Sequence, residues 1–279
     1  MCRYWTVIFC LFPMIVFAEP AIDLGDYLFN LKSFNQAVTE YKRFLFFHPD
    51  GPKSSEVIYQ IGLAYRSDQL WGQAIQSMNS AFQRTNDSEF RSKIQLDLAV
   101  TYLASNQPDL ALPKLINVLS QPRSSQLYRR TLFLKGITEI YLFNWEGARS
   151  TFKTYFGDTS RFDQVDRIIS QALKSPKKSV SFTKILSTIL PGSGQIYAGN
   201  WTDGFNALVL NGLLGYTSFS AAKSGNYRDA SFLTLFLWMR YYLGNRDNAG
   251  KIAYQINRNQ DLAFSKLILE KLQATWNEE

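Results

Sequence analysis

The feature of this sequence that most constrains its fold is a pattern of small residues that returns every 37 positions. One series consists of Gly25, Gly62, Ala99 and Gly136, and a second, twelve positions later, consists of Ala37, Ala74, Ala111 and Ala148. Self-similarity at a fixed period between about 20 and 50 residues is typical of stacked repeat architectures. The first half of the chain is therefore predicted to be a repeat array.

Each unit has the pattern of a helical hairpin, as the second unit illustrates. Apolar residues follow helical spacing from Val57 to Tyr65, Asp68 interrupts the pattern, and a second helix begins at Trp71. Glycine or alanine in the first helix and alanine in the second lack bulk, so that the two backbones can approach closely where the helices cross. Large apolar residues lie beside these positions, namely Tyr41, Met78, Leu115 and Phe152.

These positions resemble those of the tetratricopeptide repeat, a family with a period of about 34 residues. The matching residues include Leu24, Gly25, Phe34, Ala37, Tyr41 and Pro49, then Ile61, Gly62, Tyr65, Ala74 and Ala81, then Leu98, Tyr102, Ala111 and Pro122, then Gly136, Trp145, Ala148 and Phe152. The resemblance implies a TPR-like helical-hairpin solenoid of four repeats over residues 19–157. Together with the hydrophobic runs that follow it, this predicts an all-α fold in which the solenoid precedes a small hydrophobic helical module. Lys135 and Glu139 stand where Leu and Tyr are expected, which predicts the least secure packing in the fourth unit.

The N-terminus has the pattern of a secretory signal peptide over residues 1–18. Arg3 provides a positive charge, an apolar run ends at Phe17, and Ala18 completes a cleavage pattern of small residues; an N-terminal membrane anchor is the alternative. Cys2 and Cys10 both lie in this segment, so the processed chain would have no disulfide or cysteine-bound metal. We expect an exported protein of the bacterial cell envelope, with a periplasmic array and membrane association.

The concave face of such an array is expected to bind a protein or peptide. By carry-over from the family pattern, its groove consists of Tyr59, Leu63, Arg66, Lys93, Leu96, Val100, Leu103, Arg130, Phe133, Ile137 and Tyr141. Most of these residues are apolar, which favours an apolar helix or extended peptide with a few basic residues at the rim. The alternative is that later helices of the same chain fill the groove.

Residues 158–179 are predicted to form a capping helix and a linker, since apolar residues at helical spacing precede the run Ser175 to Ser179. Residues 180–245 then read as a hydrophobic helical module, because two nearly uncharged runs occupy 205–222 and 230–243. They are interpreted either as a helical hairpin in the membrane with flanking aromatic residues or as a small buried core against the array. Residues 246–279 have the spacing of an amphipathic helix.

A glycine-rich stretch opens the hydrophobic module. Pro191, Gly192, Gly194, Gln195, Tyr197 and Gly199 resemble the P-G-x-G-Q-x-Y-x-G signature of small bacterial membrane modules. Proline ends a helix and the glycines permit a chain reversal, after which Gln195 and Tyr197 can pair with backbone groups or lipid headgroups. An ordinary glycine-rich turn is the alternative interpretation.

Little in the sequence supports catalysis. His48 is the single histidine, no phosphate-binding loop is present, and we expect no enzyme activity, cofactor, metal or small-molecule substrate. The charge excess is spread along the chain, so lipid is a more natural partner than nucleic acid. The leading hypothesis is an envelope scaffold or adaptor. The alternatives are an assembly factor for envelope or outer-membrane proteins and a soluble periplasmic structural protein whose C-terminal helices complete the solenoid.

Overall fold

The fold is that of a computed structural model, which describes residues 22–121 and 124–276. These residues form helices joined by short turns and include no strand, which confirms the predicted all-α, solenoid-like fold. The chain divides into two compact units, residues 1–134 and 135–279. The predicted signal peptide lies outside the described residues.

The first unit is a succession of helices in which neighbours in sequence pack on each other. Its helices are α1 Ile22–Asn30, α2 Phe34–Phe47, α3 Ser54–Ser67, α4 Trp71–Arg84, α5 Ser88–Ala104, α6 Pro108–Leu119 and, continuing past the division between units, α7 Ser125–Tyr141. From α1 to α6, each helix contacts the next one along the chain. Such nearest-neighbour packing is the defining property of a solenoid.

The recurring small residues lie where paired helices come closest. Ala37, Ala74 and Ala111 have no exposed surface. A Cβ atom added at Gly25 would lie 2.5 Å from the Tyr41 ring, and one at Gly62 would lie 2.8 Å from Met78 Cγ. Because a larger side chain would have to displace these neighbours, the 37-residue pattern of small residues corresponds to the crossing points of the hairpins.

A second 37-residue pattern, which the sequence analysis did not find, lies in the turns. The residues Lys32, Gln69, Asn106 and Phe143 have φ values of 59°, 60°, 58° and 56°, in the left-handed region. In each turn the following amide donates to the carbonyl five residues earlier, as from Leu70 to Tyr65 at 2.9 Å. This bond satisfies a carbonyl at the helix end and reverses the chain toward the partner helix. None of the four residues is glycine, so their backbone energy is offset by packing of the hairpins.

The fourth hairpin contains a polar cluster where the family pattern expects apolar packing. Lys135 Nζ donates to Glu139 Oε1 at 2.5 Å and to Thr151 Oγ1 at 2.6 Å, and Thr151 Oγ1 donates to Glu139 Oε2 at 2.7 Å. Glu139 and Thr151 are each 4% exposed. Since both carboxylate oxygens have partners, the substitutions that predicted insecure packing form a satisfied buried network.

The second unit continues with α8 and α9 and ends in one long helix. Its helices are α8 Trp145–Phe156, α9 Ser160–Lys174, α10 Val180–Ile189, α11 Ser193–Ala198, α12 Trp201–Lys223, α13 Tyr227–Phe232, a π-helical segment Leu233–Trp238, and α14 Met239–Trp276. Helix α14 contacts α9, α10 and α11. The helix predicted to cap the array, α9, is therefore itself covered by α14.

The segment predicted to be a linker is held by α14. Lys177 Nζ lies 2.5 Å from Asp261 Oδ1, and the backbone of Lys178 exchanges two 2.8 Å hydrogen bonds with the Asn257 side chain. Ser175 accepts a hydrogen bond from Gln260. A segment with this many bonds to one helix is part of the packed unit and does not act as a free hinge.

The left-handed turns lead to a prediction about stability. Gln69→Gly should raise the free energy of unfolding by about 1 kcal/mol, because glycine adopts positive φ without the steric cost of a Cβ atom. The same change at an exposed position in the right-handed interior of α4, Gln76→Gly, should lower it by about 1 kcal/mol. Urea denaturation of the full chain followed by circular dichroism measures both; a loss of stability in Gln69→Gly would contradict the assigned turn.

Candidate functional site

The first candidate site is a cleft between α5 and α7 in the first unit. It is an open pocket with a volume of about 430 Å³. Three of the sequence-predicted groove residues, Lys93, Leu96 and Arg130, line this cavity. The other lining residues are Asp87, Glu89, Phe90, Ser124, Gln126 and Leu127. The cleft thus combines an apolar floor with both basic and acidic groups at its edge.

The remaining predicted groove residues differ in their exposure. Tyr59 is 3% exposed and Leu96 is 1% exposed, so Tyr59 packs inside the unit and Leu96 contributes only to the floor of the cavity. Leu63, Arg66, Val100, Leu103 and Phe133 are half-buried. In the second unit Ile137 is half-buried and Tyr141 is 48% exposed.

A buried carboxylate beside the cleft organises the side chains of α3. Asp97 is 5% exposed, accepts a hydrogen bond from Tyr59 Oη at 2.5 Å, and forms an ion pair with Arg66 Nη1 at 2.8 Å. Arg66, which the sequence analysis placed among the ligand-binding cations, is therefore engaged within the protein. Asp97 was missed, although a lone aspartate between Leu96 and Leu98 is the kind of signal that marks a buried polar contact.

Two cations in the cleft remain available. Lys93 and Arg130 are exposed and form no ion pair within the described residues. Lys93 Nζ lies 5.3 Å from the centre of the Tyr59 ring, which itself meets Phe90 edge to face at 5.4 Å. A cation on an aromatic face keeps most of its charge for a further partner. The cleft can therefore attract a carboxylate next to an apolar surface.

The environment of Tyr59 changes its acidity. Burial, followed by the charge of Asp97 and the hydrogen bond to that carboxylate, raises the pKa of Tyr59 well above its ordinary value of 10.0. Tyr41 behaves in the same way, since burial and the hydrogen bond to Asp26 raise the pKa of its hydroxyl. Both tyrosines act as neutral hydrogen-bond donors to carboxylates on another helix, since Tyr41 of α2 donates to Asp26 of α1 and Tyr59 of α3 donates to Asp97 of α5.

The second candidate site is the glycine-rich stretch between α10 and α12. Gly192 and Gly199 have φ values of 95° and 103°. A Cβ atom at Gly192 would lie 2.0 Å from Gly204 O, and one at Gly194 would lie 2.1 Å from Thr183 O. The motif therefore brings three helices into backbone contact, which explains Gly192 and Gly194 by packing, whereas Gly199 is explained by its positive φ alone. Half-buried Pro191 directly precedes this reversal.

Gln195 is a structural clamp in this motif. It has no exposed surface, accepts from Ser187 Oγ at 2.9 Å, and donates from Nε2 to Asn245 O at 3.2 Å and to the Asn245 side chain. The sequence left open whether Gln195 bonds to backbone groups or to lipid headgroups. In the structure it forms hydrogen bonds with the side chain of Ser187 on α10 and with the backbone and side chain of Asn245 on α14. Tyr197 is half-buried, packing against Phe182 at 5.2 Å with Lys178 Nζ 4.7 Å from its ring.

The helices after the motif have an unusual surface. The buried residues of α12 are Gly204, Asn211 and Ser218, which are small or polar. Large apolar side chains lie at the surface instead, including Trp201, Phe205, Leu208, Val209, Leu213, Tyr216, Phe219, Phe232, Leu235, Phe236 and Met239. One of the two sequence-based interpretations required these side chains to form a small buried core. Their exposure contradicts that interpretation. Among the described helices, none reaches the combination of length and hydropathy needed to cross a bilayer.

Similarity to known proteins does not assign either site. Neither the protein-family models nor the curated proteins include a match to this chain. Over residues 22–121 and 124–276, no group of three or more His, Cys, Asp or Glu side chains is arranged to hold a metal ion.

The acidity of Tyr59 leads to a prediction about alkaline stability. Above about pH 10, tyrosine in the unfolded chain loses its proton while folded Tyr59 keeps it, so the unfolded state is favoured. Stability should be full below about pH 10 and fall as the pH rises further. Tyr59→Phe should reduce this slope and lower the free energy of unfolding at neutral pH by about 1–2 kcal/mol, because Asp97 loses a donor.

Urea denaturation at neutral pH and between about pH 10 and 12 tests this prediction. Tyr65→Phe is the control, since half-buried Tyr65 has no hydroxyl hydrogen bond among the described residues. An identical alkaline slope in the wild type and in Tyr59→Phe would refute the proposed coupling between Tyr59 and Asp97.

Proposed function

We propose that this protein is a non-enzymatic scaffold or adaptor of the bacterial cell envelope. It binds a protein or peptide in the cleft between α5 and α7 and is tethered to a membrane through its C-terminal module. The observation that carries the proposal is the cavity of about 430 Å³ with two unpaired cations beside an apolar floor. The resemblance of the 37-residue units to tetratricopeptide repeats supports a binding role, as does the consecutive packing of the helices.

The lining of the cleft suggests the chemistry of its guest. Phe90, Leu96 and Leu127 suit one or two apolar side chains, while Lys93 and Arg130 suit a carboxylate next to them. Asp87 and Glu89 lie on the same rim and repel a carboxylate of the guest at their end of the cleft. The acidic group of the guest is therefore expected beside Lys93 and Arg130, which favours one orientation of the bound peptide. We therefore propose a peptide segment in which an acidic residue adjoins apolar residues.

The location of the protein is part of the same proposal. The sequence pattern of residues 1–18 supports export, and the exposed apolar side chains of α12 and α13 support contact with lipid. Processing at Ala18 and export to the periplasm are then expected of the chain in cells.

A second candidate function is that of a structural periplasmic protein whose last helix completes the solenoid. The packing of α14 favours it, since Trp145 Nε1 donates to Asp261 at 3.3 Å and Ser265 Oγ donates to Ile140 O at 3.3 Å. In this role α14 occupies the surface of the fourth hairpin that a bound peptide would otherwise contact. The open cleft in the first unit favours the adaptor role.

Peptide selection tests the adaptor role. The purified full chain, presented with random dodecapeptides displayed on phage, should enrich sequences that join an acidic residue to apolar ones. Lys93→Ala or Arg130→Ala should weaken the best peptide roughly tenfold, because a hydrogen bond to a charged group contributes about 1.5–3 kcal/mol. Titration calorimetry measures the dissociation constant.

Lys53→Ala is the matched control, since Lys53 is an exposed lysine of the same unit and lies outside the cleft. Its affinity for the peptide should equal that of the wild type. The absence of any enriched peptide, or equal affinity in all three variants, would refute the cleft as the binding site and favour the structural role.

A further inference from the structure

One face of α12 carries a continuous row of exposed large side chains. Trp201, Phe205, Leu208, Tyr216 and Phe219 follow one another at intervals of three, four or eight residues, which places them on one side of a helix. Trp201, Tyr216 and Phe219 are each about 70% exposed. This outer row, which we call the α12 stripe, therefore presents mostly aromatic surface.

The helical segment that follows the turn carries a matching row. Phe232, Leu235, Phe236, Met239 and Leu243 are spaced by one, three or four residues and are exposed, and Phe232 stacks on Phe236 at 5.3 Å. We call this row the return stripe. Helix α12 contacts both α13 and the π-helical segment, so the two rows belong to one helical pair.

The residues buried within this helical pair are small or polar, whereas the core of a protein that folds in water is apolar. Asn211 and Ser218 are 5% and 7% exposed, and neither Asn211 Oδ1, Ser218 Oγ nor Trp238 Nε1 has a hydrogen-bond partner within the described residues. A helix that packs in water buries its large apolar side chains and exposes its polar ones. Small and polar residues between helices with apolar residues outside are the arrangement found in lipid.

The charges beside the stripes favour a negatively charged lipid surface. Lys223 and Arg228 flank the turn between the two helices, and neither forms an ion pair within the described residues. Along the stripes, from Trp201 to Leu243, the sequence contains three Lys and Arg residues and two Asp residues. Over the wider segment from Ser175 to Asp261 it contains nine Lys and Arg residues and four Asp residues, with no Glu. Basic residues next to an apolar surface strengthen its binding to anionic lipids.

We infer that the α12 stripe and the return stripe embed together in the acyl region of an anionic lipid bilayer. This inference rests on the proposed membrane tether. It specifies which residues of the tether contact the membrane and that the membrane lipid is anionic. The aromatic side chains are transferred from water into contact with acyl chains, which is favourable for apolar surface. Gly204, Asn211 and Ser218 stay on the side of α12 that faces the protein. The acidic headgroups meet Lys223 and Arg228.

Vesicle flotation tests the inference on the purified full chain. Probe vesicles consist either of phosphatidylcholine with phosphatidylglycerol or of phosphatidylcholine alone. The wild type should float with the mixed vesicles and bind them more tightly than the neutral ones. Phe205→Glu combined with Leu235→Glu should weaken this binding by tenfold or more, since a carboxylate is strongly disfavoured in the acyl region. Circular dichroism should show unchanged helix content, because both side chains are more than 60% exposed.

Phe46→Glu combined with Phe47→Glu is the matched control, because both are aromatic residues of the first unit, 80% and 55% exposed, and the pair adds the same charge. It should bind vesicles like the wild type. Wild-type chain that floats with neither vesicle would overturn the membrane tether itself. Wild-type flotation that Phe205→Glu with Leu235→Glu leaves unchanged would overturn the stripes alone, as would sedimentation showing that these changes separate a dimer. Equal binding to both vesicles would overturn the preference for anionic lipid.

Discussion

The close approach of paired helices at small residues is the constraint on which the array depends. Tyr41 and Phe152 are fully buried against Gly25 and Gly136, so each aromatic ring occupies the space that a side chain on the opposite helix would need. A crossing of this kind fixes the distance between helices and hence which residues of the next helix become accessible. The cleft between α5 and α7 is positioned by such contacts, because Ala99 and Ala111 lie in the core cluster that also contains Leu96 and against which Leu127 packs.

Buried polar groups add specificity to this packing. Asp97 connects α3 to α5 through Tyr59 and Arg66, and Glu139 connects α7 to α8 through Thr151. Each carboxylate has two partners, which offsets much of the cost of removing it from water. A network with fixed donors permits fewer alternative alignments than apolar contacts alone, so these carboxylates favour one register of the hairpins.

The sequence predicted the fold class and the hairpin crossings because glycine and alanine at a fixed period have one main physical use, which is close packing. Carry-over from the family pattern placed Lys93, Leu96 and Arg130 on one face, and all three line the cavity. Lys93 and Arg130 lie 37 positions apart and so occupy equivalent places in adjacent units. The sequence did not predict that Arg66 is bound by Asp97 or that Gln195 is clamped by Asn245, since both contacts join residues on different helices. Composition also did not predict that α12 and the helical segment after it bury small and polar residues and expose large apolar ones. An apolar run has the same amino-acid composition whether its large side chains face inward or outward.

The left-handed residues at Lys32, Gln69, Asn106 and Phe143 have a consequence for how such a chain can change in length. Each of them lies two positions after the last residue of the first helix of a hairpin, so the 37 residues from one to the next form one structural module. Duplication or deletion of a whole module would rejoin helices in the phase they already have, whereas an insertion of another length within a helix would rotate everything beyond it. A change in the number of whole units would thus keep the hairpin crossings, whereas a change of spacing within a unit would not.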